Sequence, residues 1–301
     1  MEIKINGDDA GLRFDRFLRK LLVNASLAFI FKGIRKGVFL VNSKKAKQDY
    51  RLKQNDFVEL NIDDSEFKKL ISKEVKRYEV NRPRFKILYE DSDLLIVDKP
   101  AFLASHSGTS EMHDNLMDEA RFYLKDKENK SSLANRIDKE TSGIVLIAKN
   151  KTALRKLNDD IKNRKVKKYY LALVSGRLDK NAGTLSSNLK RFDKNFETKV
   201  QVSDEEDSKY AETKYHTVKE FKECTLLELE LVTGRMHQIR VQLASIGHPV
   251  IGDKDYGKED KRLKRQFLHA YKVVFNHPIT GRRLEIKSEL PSDLRAKLEN
   301  R

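Results

Sequence analysis

Asn135-Arg136-Ile137-Asp138-Lys139-Glu140-Thr141-Ser142-Gly143 runs straight into Ile144-Val145-Leu146-Ile147. A polar stretch rich in turn-forming residues thus delivers the chain into a short, continuously apolar run, the pattern of a buried strand entered through a turn. Similar runs recur on both sides: Ile87-Leu88-Tyr89, Leu94-Leu95-Ile96-Val97, Tyr169 to Val174, Leu226 to Val232 and Val273-Val274-Phe275. Helical periodicity follows Lys151 and Arg235. Strands interleaved with so few helices predict an α+β unit over residues 85–301, built on a mixed, largely antiparallel β-sheet.

Residues 1–62 read differently. Leu12, Phe14, Phe17, Leu18, Leu21 and Leu22 share one helical face, with Arg13, Arg16, Arg19 and Lys20 between them. Ser26 is placed to cap a second helix through Leu27, Ile30, Phe31 and Ile34, and Gly37 to end it. Val38 to Val41 then reads as a strand, and Asn42-Ser43 as a turn. This segment gathers Lys32, Arg35, Lys36, Lys44, Lys45 and Lys47, cations suited to phosphate contacts. The competing reading is a helical hairpin with a solvated basic face. Residues 63–84, dense in charge and ending at Arg82-Pro83-Arg84, are expected to be a linker, with a short helix near Phe67, Leu70 and Ile71.

Composition narrows the chemistry. The 301 residues carry 62 Lys and Arg against 46 Asp and Glu, a net charge of +16, so a polyanion is the natural partner. Cys224 is the only cysteine, which excludes an intramolecular disulfide and any site needing several thiolates. The seven histidines form no His-x-His or His-x-x-x-His pair, so no metal is expected. Neither a Rossmann nor a P-loop glycine motif occurs, and no nucleotide cofactor is indicated. Met1 to Asn6 lacks a signal-peptide apolar segment, and no stretch approaches a membrane span. A cytoplasmic protein without a membrane partner is the expectation, and a monomer is the default.

Three polar clusters remain at the ends of expected strands. Asp138, on its turn, suits a nucleophile or general base held by the following strand, although a turn-forming aspartate would look the same. Lys168-Tyr169-Tyr170-Leu171 places one of its tyrosines on the inner face, where a ring stacks on a base or merely packs a core. In Thr233-Gly234-Arg235-Met236-His237-Gln238-Ile239-Arg240-Val241-Gln242-Leu243, a glycine leads into a helix whose first turns carry Arg235, His237, Gln238 and Arg240. Such a crowd holds a phosphate or a carboxylate, or forms structural salt bridges.

Taken in order, these motifs resemble the RluA family of ribosomal large-subunit pseudouridine synthases, most nearly its RluC-like members. The likeness runs from Ile87-Leu88-Tyr89-Glu90-Asp91 and Val97-Asp98-Lys99-Pro100 through Arg136 to Gly143 and Lys168 to Ala172. It continues with Thr233 to Val241, Gly247-His248-Pro249, Gly252-Asp253, Phe267 to Ala270 and His277 to Gly281. Residues 1–62 resemble the small α-L RNA-binding module, loosely matching its Gly-x-Arg-x-Asp-x-x-Leu pattern at Gly11, Arg13, Asp15 and Leu18. The resemblance implies conversion of uridine to pseudouridine in structured RNA, at several large-subunit ribosomal RNA positions. It implies Asp138 as the essential carboxylate, Tyr170 against the target base, Arg240 paired with the aspartate, and Arg136 filling the space of the flipped nucleotide. Arg235, His237, Gln238 and Ile239, with Arg35 and Lys36 of the N-terminal segment, are the expected RNA contacts. Two positions depart from the family, Asn135 and Gln242, both usually histidine, with altered RNA contacts as the expected consequence. The rival function is an RNA-binding ribosome-assembly factor without catalysis.

Overall fold

The computed structural model describes residues 1–6, 9–71, 83–106, 115–194 and 197–299. The chain divides into Met1–Glu79 with Gly108–His113, and Val80–Ser107 with Asp114–Arg301.

The first unit contains β1 (Glu2–Lys4), α1 (Phe14–Leu21), α2 (Leu27–Lys36), β2 (Phe39–Val41), β3 (Phe57–Leu60) and α3 (Asp64–Ile71). Helix α1 begins two residues later than its apolar stripe suggests, because Arg13 is still extended. The Arg13 guanidinium donates to both carboxylate oxygens of Asp15, at 3.1 and 2.9 Å, so part of the basic face is already neutralised. Ser26 Oγ accepts the Phe29 N–H at 3.1 Å, capping α2. Gly37, at φ 77°, ends that helix by donating to the Gly33 and Ile34 carbonyls. Asn42 and Ser43, at φ 49° and 60°, form a two-residue turn closed by backbone bonds between Val41 and Lys44 of 2.9 and 3.1 Å. The three strands pair antiparallel in the order β1-β3-β2. Phe14, Phe17, Leu18, Ile30, Phe39 and Val58 fill the core, and Phe67 of α3 is buried with them. Thus the first residues of the expected linker pack into this unit; residues 72–82 of that linker lie outside the described ones.

The second unit contains β4 (Lys86–Glu90), β5 (Leu94–Lys99), α4 (Leu116–Tyr123), β6 (Ser132–Leu133), β7 (Ser142–Ala148), α5 (Lys151–Lys162), β8 (Lys167–Ser175), β9 (Ala182–Lys194) and β10 (Glu197–Val202). It closes with β11 (Lys209–Glu220), β12 (Cys224–Leu231), α6 (Gln238–Ser245), β13 (Leu268–Asn276), β14 (Arg283–Lys287) and α7 (Ser292–Glu299). One sheet runs β10-β9-β11-β12-β8-β13-β7-β5-β4, with β14 paired to β13 and β6 to β7. All pairings are antiparallel except β13 with β7. The mixed, largely antiparallel sheet expected of an α+β fold is therefore present.

Strand β7 is buried along its whole length. Val145 and Ile147 face one core with Leu116 and Ala120 of α4, Ile239 and Leu243 of α6 and Leu294 of α7. Ile144, Leu146 and Ala148 face the other with Ala153 and Leu157 of α5. Covering both faces is why this strand reads as an unbroken apolar run rather than an alternation. Such a strand makes a rigid base for the turn before it. Where β7 and β13 run parallel, Gly143 lies opposite Ala270, at φ 114°, and a Cβ there would sit 2.2 Å from the Ala270 carbonyl oxygen. Gly143→Ala is therefore expected to cost more than about 3 kcal/mol, read as a lowered melting temperature or loss of soluble protein.

Candidate active site

Asp138 lies on the turn entering β7, closed by the Thr141 N–H donating to the Asp138 carbonyl at 3.1 Å. Its neighbours are fastened from beneath. Ser105 Oγ donates to the Ile137 carbonyl at 2.6 Å and accepts the Ile137 N–H at 3.2 Å. Lys99, fully buried at the end of β5, donates to the carbonyls of Pro100, Leu103 and Lys139 at 2.9, 2.7 and 3.1 Å. Three N–H groups thus meet three acceptors, two in the segment after β5 and one on the turn. Asn135 accepts the Leu146 N–H at 2.7 Å through its side-chain oxygen and so serves the turn's structure.

Arg240, on α6, reaches the carboxylate: its Nη1 donates to Asp138 Oδ2 at 3.3 Å. The remaining guanidinium edges go to two other acids. Nε and Nη2 each donate to Asp253 at 2.7 Å, and Nη2 also to Asp255 at 2.6 Å. The bidentate grip of Asp253, whose side chain has 0% exposure against 5% for Arg240, fixes the guanidinium plane and leaves Nη1 for Asp138, which is 28% exposed. Burial lowers the Arg240 pKa, but its bonds and attraction to Asp253, with Asp138 and Asp255 adding, drive it up overall. It is a permanent cation.

Two aromatic groups complete the surroundings. Tyr170, on β8, is buried, and burial first, then the Asp138 charge, raise its phenol pKa, so it stays protonated. Its neighbour Tyr169 instead packs under the Lys272 ammonium, 4.1 Å from the ring centre. His237 stands at φ 52° just before α6. Its Nδ1 lies 2.8 Å from the Tyr256 hydroxyl and its Nε2 4.0 Å from Asp138 Oδ2. Burial lowers its pKa and Arg240 lowers it further, while Asp138 acts against both, so the ring is neutral at pH 7.

The other residues singled out in the sequence are dispersed. Arg136 is exposed on the Asp138 turn. Arg235 is exposed just before α6, its Nε donating to the Tyr210 carbonyl at 3.1 Å. Gln238 and Ile239 both face inward. Gln238 is buried, donating to Glu212 and Thr213 and accepting from Thr233 and the Arg235 N–H, and Ile239 belongs to the core. Gln242 is likewise buried among Leu185, Ser187, Ala211 and Thr213, so that departure changes internal packing rather than a contact surface. Arg35 and Lys36 are exposed on α2 of the first unit. Sequence reasoning gave no role to Lys99, Asp253, Asp255 or Tyr256. The signals for them were a lysine closing an apolar strand and the acidic turn after Gly252.

A family described as RNA pseudouridylate synthase matches residues 93–245, the span from β5 to α6 that holds Asp138, Tyr170 and Arg240. Ribosomal large subunit pseudouridine synthase C of Vibrio cholerae is 35% identical over 311 residues, covering 97% of this chain and 94% of that protein. The chain belongs to the RNA pseudouridine synthases. The protein of the same description from Buchnera aphidicola is 35% identical over 300 residues, covering 96% and 93%, which places the enzyme among the RluC-like members of the RluA family. Among solved structures, human RNA pseudouridylate synthase domain containing 1 superposes with a TM-score of 0.57 at 25% identity, covering 69% of this chain and 84% of that one. Human RNA pseudouridylate synthase domain containing 4 gives 0.57 at 22%, covering 71% and 91%, a likeness of fold.

Lys99 gives this synthase a measurable pH dependence. Burial pushes its ammonium from an ordinary 10.5 down to about 7, with the Asp138 charge opposing. Between those values the unfolded chain binds the extra proton, so stability rises with pH by up to about 1.4 kcal/mol per unit and is flat, for this group, below about pH 7. Relative to Lys99→Met, the wild-type enzyme is therefore expected to gain stability as pH rises from 7 to 10. Denaturant titrations at several pH values check it, and a gap that does not change would refute the burial cost.

Asp91, Asp93 and His277 place oxygen and nitrogen atoms within 4.8 Å of one another. His277 Nδ1 accepts the Ile279 and Thr280 N–H groups, which puts the ring proton on Nε2, 2.9 Å from Asp91. That nitrogen has no lone pair for a metal. Among the described residues no helix is long and apolar enough to cross a membrane.

Proposed function

We propose that this synthase, acting as a monomer in the cytoplasm, isomerises uridines at several positions in large-subunit ribosomal RNA, with Asp138 as its catalytic carboxylate. The observation that carries the residue assignment is the Arg240 guanidinium, clamped by buried Asp253 and presenting Nη1 to Asp138 at 3.3 Å. A partly exposed carboxylate held in one position beside a buried phenol suits chemistry on a base brought out of its stack. The names of the bacterial relatives support the ribosomal target.

The reaction breaks the bond between the sugar C1′ and N1 of uracil and forms one from C1′ to C5. The proton released from C5 is balanced by one gained at N1, with no net redox change. Asp138 supplies the electron pair that starts it, by attack on sugar or ring or by taking a sugar proton. Tyr170 lies against the base, and Arg136, exposed on the same turn, occupies the space the nucleotide vacates. Residues 1–62, with α3 packed against them, act as an α-L RNA-binding module, in which exposed Arg35 and Lys36 contact phosphates, and the catalytic domain is the one over 85–301.

The test incubates the protein with unmodified large-subunit ribosomal RNA and maps pseudouridines by chemical labelling and primer extension. Several new labelled positions are expected. Labelling confined to another RNA would overturn the proposed target.

A further inference from the structure

Phe102 occupies an awkward place. Its φ is 66°, a left-handed backbone that costs a bulky side chain about 1–2 kcal/mol. Asn42, Ser43, Asn55, Lys125, Asn129, Arg164 and His237 are the other non-glycine residues with positive φ among those described, all polar, several of them turn-formers. The phenylalanine is also 51% exposed, so burial of its ring does not offset the strain. A costly conformation that presents apolar surface to solvent is more readily explained by a ligand than by packing.

Its location says which ligand. The segment 100–105 is stitched to the catalytic turn: one Lys99 ammonium binds both the Leu103 and Lys139 carbonyls, at 2.7 and 3.1 Å, and Ser105 binds Ile137. Phe102 and Asp138 thus lie on two strips of backbone joined by these four hydrogen bonds. Arg136 and Lys139, both exposed, stand two residues before and one residue after Asp138 on that turn. An exposed ring on backbone tied to a turn that carries exposed Arg136 and Lys139 matches the face of a nucleobase on a phosphodiester chain, not a free phosphate or a metal.

We propose that Phe102 is a stacking platform for a nucleobase of the RNA beside the target uridine, held in its strained backbone to present the ring. The inference rests on Asp138 marking where the uridine enters. It makes Phe102 a positioning residue whose contribution is to binding and register, not to the chemical step.

The chain contains no tryptophan, so Phe102→Trp supplies a single emission reporter. On saturation with unmodified large-subunit ribosomal RNA, its fluorescence is expected to fall by about half or more. Phe102→Asn, which tolerates this backbone, is expected to melt no lower than wild type yet bind that RNA about five- to a hundredfold more weakly, with kcat at saturation changed less than about twofold. Unquenched tryptophan in a complex shown by gel shift to be formed, or wild-type affinity in Phe102→Asn, would overturn the proposal. A lowered melting temperature together with weakened binding would reassign Phe102 to structure. Pseudouridine formation by an Asp138→Asn enzyme would instead refute the catalytic assignment, leaving the fluorescence result to stand on its own.

Discussion

Asp138→Asn is expected to lower the single-turnover rate of pseudouridine formation by at least about a thousandfold while leaving RNA affinity and melting temperature near wild type. The amide keeps the carboxylate's shape, and its oxygen can still accept the Arg240 N–H now 3.3 Å from Oδ2. What disappears is the negative charge and the reactive electron pair. Mapped product from equal amounts of both proteins, with binding measured in parallel, decides the matter. A variant retaining more than about a tenth of the activity would move the chemistry to another residue.

Arg240→Met should have the larger effect on folding. Asp253 has 0% side-chain exposure, and removing the guanidinium that grips it leaves a buried charge uncompensated, at a cost of about 3–5 kcal/mol. For a unit of this size that corresponds to a melting temperature lower by about 10 °C, with activity lost as well. Arg240→Lys should fall between, because one ammonium cannot reproduce a planar fork bonded to three carboxylates. The double variant Arg240→Met with Asp253→Leu separates the two roles: stability should largely return, whereas activity should not. Recovery of both would show that the guanidinium has no part in catalysis.

How much of this was legible in sequence depends on what each segment faces. Ile144–Ile147 announces itself because both faces of β7 are covered, and the turn before it was readable as the seat of a carboxylate. Strands β9 and β11 carry no strand signal in the sequence, since residues such as Ser186, Asn188, Lys190, Glu212 and Lys214 alternate among polar types and pass for loop. The helix after Arg235 was placed correctly but starts at Gln238, because His237 adopts a left-handed backbone that no residue-type rule anticipates. In the site, Asp138 and Arg240 stand 102 residues apart in the chain, and family likeness rather than spacing joined them. That likeness could not say that Gln238 and Gln242 look inward, or that Asp253, Asp255 and Lys99 do the holding, since burial is a property of the assembled sheet.

The clamp on Arg240 has an electrostatic consequence for how RNA arrives. Asp138, Asp253 and Asp255 surround one guanidinium, so these four side chains formally sum to two negative charges in a protein whose total is +16, with the Lys99 ammonium close enough to Asp138 to offset part of them. The long-range field therefore draws the polyanion in, while the innermost ångströms repel its phosphates. An uncharged nucleobase is the part of the chain that meets least resistance there. Three carboxylates gathered around one guanidinium would therefore favour RNA that approaches base first, with its phosphates held further out.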